Sequence, residues 1–415
     1  MFRRRTERRG LRLWPVGTVL VLAFTAAVLV AATVFYTGWD LLGARGLKPE
    51  HRIDAKTLFD LVKLSFGVVA GAGALVALVV AYRRQRVDED GALREATRLH
   101  TERFTAAVAQ LGHDSAAVRL GGVHALAGLA DDAPTRDLRQ TCIDVLCAYL
   151  RLPYTAEDAL PEGDVEARHT CLAVREVRHT IVRLIRDHLR LTSVHPHSWQ
   201  GHDFDFTDVT FDGGDFSNAV FSGGTVSFVG VTFSGRPVNF TGATFSGGTV
   251  IFTGTTFSGG TAYFARTTFS GSSVYFDMST FSGSRFHFDS STFSGGMVSF
   301  GMSTFSGGMV SFGVSTFSGS SVHFGMSTFS GSTVSFGQAT FSGGTVDFTG
   351  TTFSGGTVDF TGTTFSGGTV DFTGTTFSGG TVDFTNATGP APSGLVPLSG
   401  GPMRTGVVLP LAWSG

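Results

Sequence analysis

The feature that most constrains the fold of this chain is a 12-residue repeat that places phenylalanine in two columns. One column holds Phe at 14 consecutive positions from Phe228 to Phe384, and the other holds Phe at 13 positions from Phe233 to Phe377. The two columns alternate at spacings of five and seven residues. A fixed internal period is typical of repeat proteins, in which stacked copies bury a continuous core. The pattern therefore predicts an all-β solenoid over residues 203–386.

The residues beside each Phe indicate which side chains face inward. Two positions before the first column stand 12 Val, with Ala262 and Phe286 as the exceptions, and two positions before the second column the residue is small. In an extended chain, residues i and i−2 share a face. Ser and Gly follow each second-column Phe, and Gly permits positive φ, so Ser-Gly-Gly predicts a corner. A disordered Phe-Gly segment is the alternative. Disorder does not explain why Val recurs at a fixed position before Phe, because a disordered chain has no inward face to fill.

The first repeats resemble the pentapeptide-repeat family, and the residues that carry the likeness read DFTDV, TFDGG, DFSNA and VFSGG over Asp205–Gly224. The resemblance implies a right-handed, four-sided β-helix with coils of about 24 residues and about seven coils in all. From Thr225 onward, however, every second unit carries two additional residues. A two-sided coil made of a single 12-residue double unit therefore stays open.

The last segment, residues 387–415, contains five prolines and is predicted to be a flexible tail or a cap. Val407–Leu411 is the part expected to cover the final coil, because an open solenoid edge invites aggregation.

The N-terminal region predicts a membrane α-helical hairpin. Residues 1–13 form a basic leader, residues 14–36 form an uncharged first span, residues 37–57 a short loop and residues 58–82 a second apolar span. About 20 apolar residues cross the hydrocarbon core of a bilayer. A signal peptide is the alternative, but its apolar region is shorter and no second span would follow it.

Basic residues set the predicted orientation of this hairpin. Six Arg precede the first span and three follow the second, while the loop carries four basic residues. The excess at the two ends predicts a multi-pass protein of the cell membrane, with the N-terminus and the solenoid in the cytoplasm. Gly67 and Gly71 form a small face that allows close helix packing, either within the hairpin or in a homodimer.

Residues 88–191 show helical periodicity and predict four short amphipathic helices, arranged as a small bundle or a HEAT-like stack. The segments Arg103–Gly112 (RFTAAVAQLG), Val118–Ala130 (VRLGGVHALAGLA) and Cys142–Arg151 (CIDVLCAYLR) resemble a helical module of bacterial membrane-anchored pentapeptide-repeat proteins. The resemblance implies an adaptor between membrane and repeats, without an activity of its own.

Residues able to do chemistry are few and lack a recognised pattern. His195, His197 and His202 cluster before the repeat, with His169 and Cys171 upstream, but their spacing matches no metal site. The Gly residues belong to repeat corners, and no nucleophile or phosphate-binding motif is present. The chain is therefore predicted to have no catalytic residues, no cofactor and no metal, and not to be an enzyme.

The most specific candidate surface is an outward acidic column in the last repeats. The net charge of −2 conceals a segment of −8 between residues 203 and 386, and the candidate residues precede the first-column Phe in the last four repeats: Asp347, Asp359, Asp371 and Asp383. We expect a protein-interaction scaffold with an unknown protein partner, and no nucleic-acid partner. The alternative, drawn from the family, is an acidic rod that imitates DNA and inhibits a topoisomerase-type enzyme.

Overall fold

The computed structural model describes residues 16–41, 54–157, 160–234, 236–258, 261–283, 285–395 and 406–413. The chain divides into two compact units, Met1–Arg98 and Leu99–Gly415. Residues 1–15 and 42–53, which carry the predicted leader and most of the predicted loop, lie outside the described residues.

In the ranges that the structure describes, five α-helices precede the strands: α1 Val16–Leu41, α2 Ala55–Leu111, α3 Ala116–Asp131, α4 Arg136–Leu150 and α5 Val165–Arg190. Helix α2 covers both the second apolar run and the first predicted helix of the adaptor, which the sequence analysis treats as separate elements. Thr135 and Asp164 cap α4 and α5 by accepting hydrogen bonds from the amides of Leu138 and Ala167.

A parallel β-solenoid of about eight turns follows the helices, which confirms the predicted fold class of a helical region followed by an all-β repeat. The first coils contain four short strands each. Strands of successive coils stack into four columns. The first strand column is β1 Phe204–Asp205, β5 Thr225–Ser227, β9 Thr249–Ile251, β13 Ser273–Tyr275, β17 Met297–Ser299 and β21 Ser320–His323, and the second is β2 Thr210–Phe211, β6 Thr232–Ser234, β10 Thr256–Ser258, β14 Thr280–Ser282 and β18 Thr304–Ser306. The third strand column is β3 Gly214–Asp215, β7 Val238–Asn239, β11 Thr261–Tyr263, β15 Arg285–His287 and β19 Met309–Ser311, and the fourth is β4 Val220–Ser222, β8 Thr244–Ser246, β12 Thr268–Ser270, β16 Thr292–Ser294 and β20 Thr316–Ser318.

Later coils join two columns into one longer strand across the Ser-Gly corner. These strands are β22 Thr328–Ser335, β23 Thr340–Asp347, β24 Thr352–Asp359 and β25 Thr364–Asp371, and they are followed by β26 Thr376–Phe377, β27 Thr381–Asp383 and β28 Val407–Val408. As a result, the strands form two sheets, of 13 and 15 strands among the described residues.

The strand register decides the length of a coil. Tyr275 pairs with Ser299, and Phe281 pairs with Phe305, so each strand pairs with the strand that lies two repeats later. Successive turns are therefore spaced by about 24 residues along the chain. The 12-residue sequence period is half a coil, and the two-sided alternative with 12-residue coils is wrong.

Phe side chains fill the inside of each coil as four ladders. Phe276 stacks on Phe300 with ring centroids 4.8 Å apart and planes 4° apart, whereas it meets Phe288 edge-on at 6.0 Å and 89°. Stacking along the axis and edge-to-face contact across it are both favourable ring geometries. Four ladders of buried rings therefore hold the coils together.

The small residues before the second Phe column have a second role that the sequence analysis does not anticipate. The buried Ser303 hydroxyl donates to the Phe276 carbonyl at 2.7 Å and accepts from the Ser279 amide at 3.2 Å. The same pattern recurs from coil to coil, for example at Ser279 and Ser291. These hydroxyls supply hydrogen bonds to buried backbone groups at the turns.

Both ends of the solenoid are covered. Helices α4 and α5 pack on the first coil, and Arg178 donates a hydrogen bond to the Thr210 carbonyl at 2.7 Å. At the other end β28 pairs with β27, and the Trp413 ring packs on Phe365 and Phe384. The turns number about eight, not seven, since residues 388, 393 and 407–408 pair onto the preceding strands.

Candidate interaction surface

The four candidate aspartates lie in two pairs on different sheets. Asp347 pairs in register with Asp371, and Asp359 pairs with Asp383. Because a coil spans two repeats, side chains one repeat apart stand on different sheets. The expectation of a single column, based on the 12-residue period, therefore becomes two short columns of two carboxylates each.

Each of these carboxylates also orders the turn that follows it. The Asp347 carboxylate accepts a hydrogen bond from the Thr349 amide at 2.7 Å, and the equivalent distances at Asp359, Asp371 and Asp383 are 2.8, 2.8 and 2.7 Å. Asp and Asn side chains commonly accept from a backbone amide two residues on. Earlier coils place Asn239, Ser299 or Ser335 in this role. The acidic residues therefore have a local structural function as well as a charge.

Asp347 lies beside a histidine side chain. Burial opposes its ionisation, but hydrogen bonds from Thr349 and the nearby His323 outweigh burial, and the pKa of Asp347 lies below its ordinary value. His323 Nδ1 lies 3.5 Å from the Asp347 carboxylate, one coil earlier on the same sheet. Asp347 is therefore ionised throughout the neutral range.

The density of this charge can be compared with that of DNA. Neighbouring strands stand about 4.8 Å apart, so two carboxylates per coil give one charge per about 2.4 Å, against about 1.7 Å of axis per charge in duplex DNA. The acidic pairs occupy only two coils, which corresponds to about 10 Å along the axis. This is a small acidic patch rather than an extended polyanion.

A second group of outward side chains lies nearer the middle of the solenoid, and the sequence analysis does not single it out. The Tyr263 ring stacks on His287 at 5.5 Å, and His287 Nδ1 lies 3.2 Å from the Asp289 carboxylate. Tyr263 is 38% exposed. Tyr263 and His287 are spaced by two repeats, so the sequence groups them only under a coil of two repeats.

Three of the histidines upstream of the repeat lie close to buried or half-buried carboxylates, in two polar clusters. His188 and His197 lie 3.1 and 3.8 Å from the Asp131 carboxylate, and His188 stacks on Trp199 at 4.1 Å. Burial opposes charge on Asp131, but hydrogen bonds from His188 and Trp199 lower its pKa. His202 instead hydrogen-bonds the Gln140 side chain at 3.0 Å.

The second cluster surrounds Asp212 in the first coil. Tyr154 donates to the Asp212 carboxylate at 2.7 Å, His179 lies 3.2 Å from it, and Cys171 lies 3.6 Å from the Tyr154 hydroxyl. These contacts tie α5 and the segment before it to the solenoid. His195 lies beside the first cluster, where its ring meets the His197 ring edge-on at 5.3 Å and its Nδ1 accepts from the His197 amide at 3.1 Å. His169 is exposed on α5 and contacts neither carboxylate among the described residues.

All three cysteine side chains are buried. Burial raises the pKa of Cys142 to about 11 and raises the pKa of Cys147 further, so neither thiol is a nucleophile at neutral pH. Within the described ranges, no group of three or more His, Cys, Asp or Glu side chains is arranged to hold a metal ion. Comparisons with protein-family models, curated proteins and solved structures find no match to this chain.

Proposed function

We propose that the protein is a membrane-tethered, non-catalytic scaffold that presents the side faces of its solenoid to a protein partner. The observation that carries the proposal is the closed construction of the repeat: Phe fills its interior, and helices and the Trp413 segment cover its ends. The outward-facing side chains of the strands are therefore the part of each coil that a partner protein can contact. Solenoids commonly bind partners on such extended regular surfaces.

The membrane tether is supported by one helix and by the charge pattern. Helix α2, Ala55–Leu111, contains a window that is long and apolar enough to cross a membrane, and none of that window is buried inside the protein. An apolar core helix of a soluble protein would be covered by other elements. With the basic leader, we infer two spans that leave the N-terminus and the solenoid in the cytoplasm.

Thiol labelling in intact cells tests this orientation. The three native cysteines are buried, so introduced thiols dominate the labelling. We expect a membrane-impermeant maleimide to label the loop variant Lys48→Cys in intact cells, and the solenoid variant Ser299→Cys only after permeabilisation. Labelling of Ser299→Cys from outside would contradict the topology.

Photo-crosslinking from single positions tests the scaffold function. A crosslinking amino acid at Tyr263 or at Tyr275 samples the two sheets, and one at Val194, which is 90% exposed outside the solenoid, serves as the control. We expect discrete products from one face in native membranes and none from Val194. Equal yields from all three positions would contradict a defined partner on a solenoid face.

The alternative, imitation of DNA, depends on the four aspartates and is tested separately. Asn retains the side-chain oxygen that accepts the turn hydrogen bond, so changing all four Asp to Asn removes charge and keeps the turns. We expect the full chain not to inhibit DNA supercoiling. Inhibition that the four Asp→Asn changes abolish would instead establish the alternative.

A further inference from the structure

An open groove lies in the helical module, within the unit that begins at Leu99. It is bordered by the end of α2, the first part of α3, the last turns of α4 and the middle of α5, and its volume is about 460 Å³. Pockets for small organic ligands commonly measure about 300–1,000 Å³ and have mainly apolar walls. The walls here include Val108, Leu111, Val145, Leu152 and Val174.

Two arginines line this groove, and the lining includes no acidic side chain. The guanidinium of Arg178 is already used: it donates to the carbonyls of Leu150 at 2.6 Å and Thr210 at 2.7 Å, and it lies 4.4 Å from the centre of the Tyr154 ring. Arg178 therefore has a structural role in docking α5 on the first coil.

Arg119 is different, because its charge is not matched. Its Nε atom is buried and has no hydrogen-bond acceptor in the described part of the chain, and no carboxylate there lies within ion-pair distance of its guanidinium. Leaving a buried donor without an acceptor is unfavourable, and native proteins keep few such donors. The position is therefore suited to an acceptor that comes from outside the chain.

Tyr149 adds a second donor to the same groove. Among the described residues its hydroxyl has no hydrogen-bond partner. Burial raises the pKa of Tyr149, although Arg119 and Arg178 act in the opposite direction. The phenol is therefore protonated at neutral pH and able to donate a hydrogen bond next to two positive charges.

We propose that this groove binds an organic monocarboxylate with a compact apolar body. The carboxylate accepts hydrogen bonds from Arg119 and Tyr149, and the body lies between Val108 and Leu152. A planar guanidinium matches a carboxylate in shape and charge, and an apolar body of one or two rings suits the volume of the groove. A small ligand of this kind would give the adaptor a binding function separate from display by the solenoid.

The test compares 2-naphthoate with its uncharged analogue 2-naphthamide on the full chain in lipid nanodiscs, by equilibrium dialysis. We expect naphthoate to bind at least tenfold more tightly than naphthamide. The variant Arg119→Gln should abolish this preference, while Arg183→Gln, which removes an exposed arginine of α5 outside the groove, should retain it. Equal binding of the two ligands, or a preference that survives Arg119→Gln, would overturn the proposal.

A second variant keeps the test informative if Arg119→Gln fails to fold. Leu152 lies at the rim of the groove and is 56% exposed, so Leu152→Glu changes charge with little loss of packing. We expect this variant to keep its helical circular dichroism and to bind naphthoate at least tenfold more weakly. Unchanged naphthoate binding by the folded variant would place the ligand elsewhere.

Discussion

At the scale of single residues, the repeat uses each position for a specific physical purpose. Phe supplies ring stacking along the axis. Where Ser or Thr stands two positions before the second Phe column, its hydroxyl donates a hydrogen bond to a backbone carbonyl of the neighbouring coil. The sequence pattern reveals the first role, because a fixed inward pair needs apolar side chains. It does not reveal the second, since Ser303 and Thr351 look like ordinary small strand residues until their hydroxyls are seen donating to Phe carbonyls.

The turn after each first-column Phe predicts a stabilising substitution. The second residue after each first-column Phe has φ between 55° and 68°, and after Phe312 this residue is Val314, with φ 58°. Non-Gly residues pay about 1–2 kcal/mol in this region, and β-branched residues are rare there. We expect Val314→Gly to raise the free energy of unfolding by about 1 kcal/mol, measured by chemical denaturation.

The reverse change provides the matched control for that prediction. Gly362 stands at the equivalent turn two coils later, with φ 68°. Gly362→Val should therefore lower the free energy of unfolding by about 1–2 kcal/mol. A stabilising effect of Gly362→Val, or a destabilising effect of Val314→Gly, would show that backbone strain does not govern these turns.

His202 predicts sensitivity to acid. Burial, together with Arg136 and Arg139, lowers the pKa of His202 to about 4, whereas an unfolded histidine has a pKa of about 6.5. Between these values the unfolded chain binds a proton that the folded chain does not. Stability is therefore lost as pH falls from about 6.5 to 4, on the order of 2–3 kcal/mol.

The variant His202→Gln isolates this contribution, because Gln keeps a hydrogen-bond donor but does not titrate. Between pH 6.5 and pH 4.5, the free energy of unfolding measured by denaturation should fall less for His202→Gln than for the parent chain. The exposed His195, changed to Gln, serves as control and should leave the loss unaltered. An identical acid loss in all three proteins would refute the assignment to His202.

At the scale of elements, the helices show which features of the structure the local sequence pattern predicts. Helical periodicity predicts four helices over residues 88–191, and the described chain there contains the end of α2 followed by α3, α4 and α5. Thr135 and Asp164 cap α4 and α5, whereas α3 has no side-chain cap. Helix α2 continues through residues 83–90, because nothing in those residues is incompatible with a helix. A change of composition from apolar to charged therefore did not mark an end of the element.

The C-terminal cap predicts a change in association. Trp413 packs on Phe365 and Phe384, and its indole nitrogen donates to the Gly389 carbonyl at 2.9 Å. We expect Trp413→Ala to expose the last coil and to increase self-association through its open strand edges, as measured by light scattering. The exposed neighbour Leu411, changed to Ala, is the control. A fully monodisperse Trp413→Ala protein would argue against a capping role.

At the scale of the whole molecule, the residue pattern predicts a solenoid but does not decide between the coil of about 24 residues that the family resemblance implies and a coil of 12. The two half-coils are so similar that the 12-residue period hides a structure with twice that period. One feature of the sequence does indicate the longer coil: Met278, Met302 and Met326 recur every 24 residues, at the positive-φ position of every second turn.

The same ambiguity limited the prediction of the candidate site. The four candidate aspartates form one column only if a single repeat makes a whole coil, whereas the register pairs Asp347 with Asp371 and Asp359 with Asp383. The groove at Arg119 was not predicted at all, because it depends on four helical segments meeting in space. Residue spacing and composition do not predict how these segments pack against one another.

The coil length is tested most directly by engineered disulfides across the outer face. Parallel neighbours in a sheet lie within the Cα distance that a disulfide spans. Tyr275 and Ser299 are such neighbours, whereas Tyr275 and His287 lie on different sheets. After mild oxidation, we predict a crosslink in the double variant Tyr275→Cys, Ser299→Cys and none in Tyr275→Cys, His287→Cys. A crosslink only in the second pair would contradict the two-repeat coil and the four-ladder core built on it.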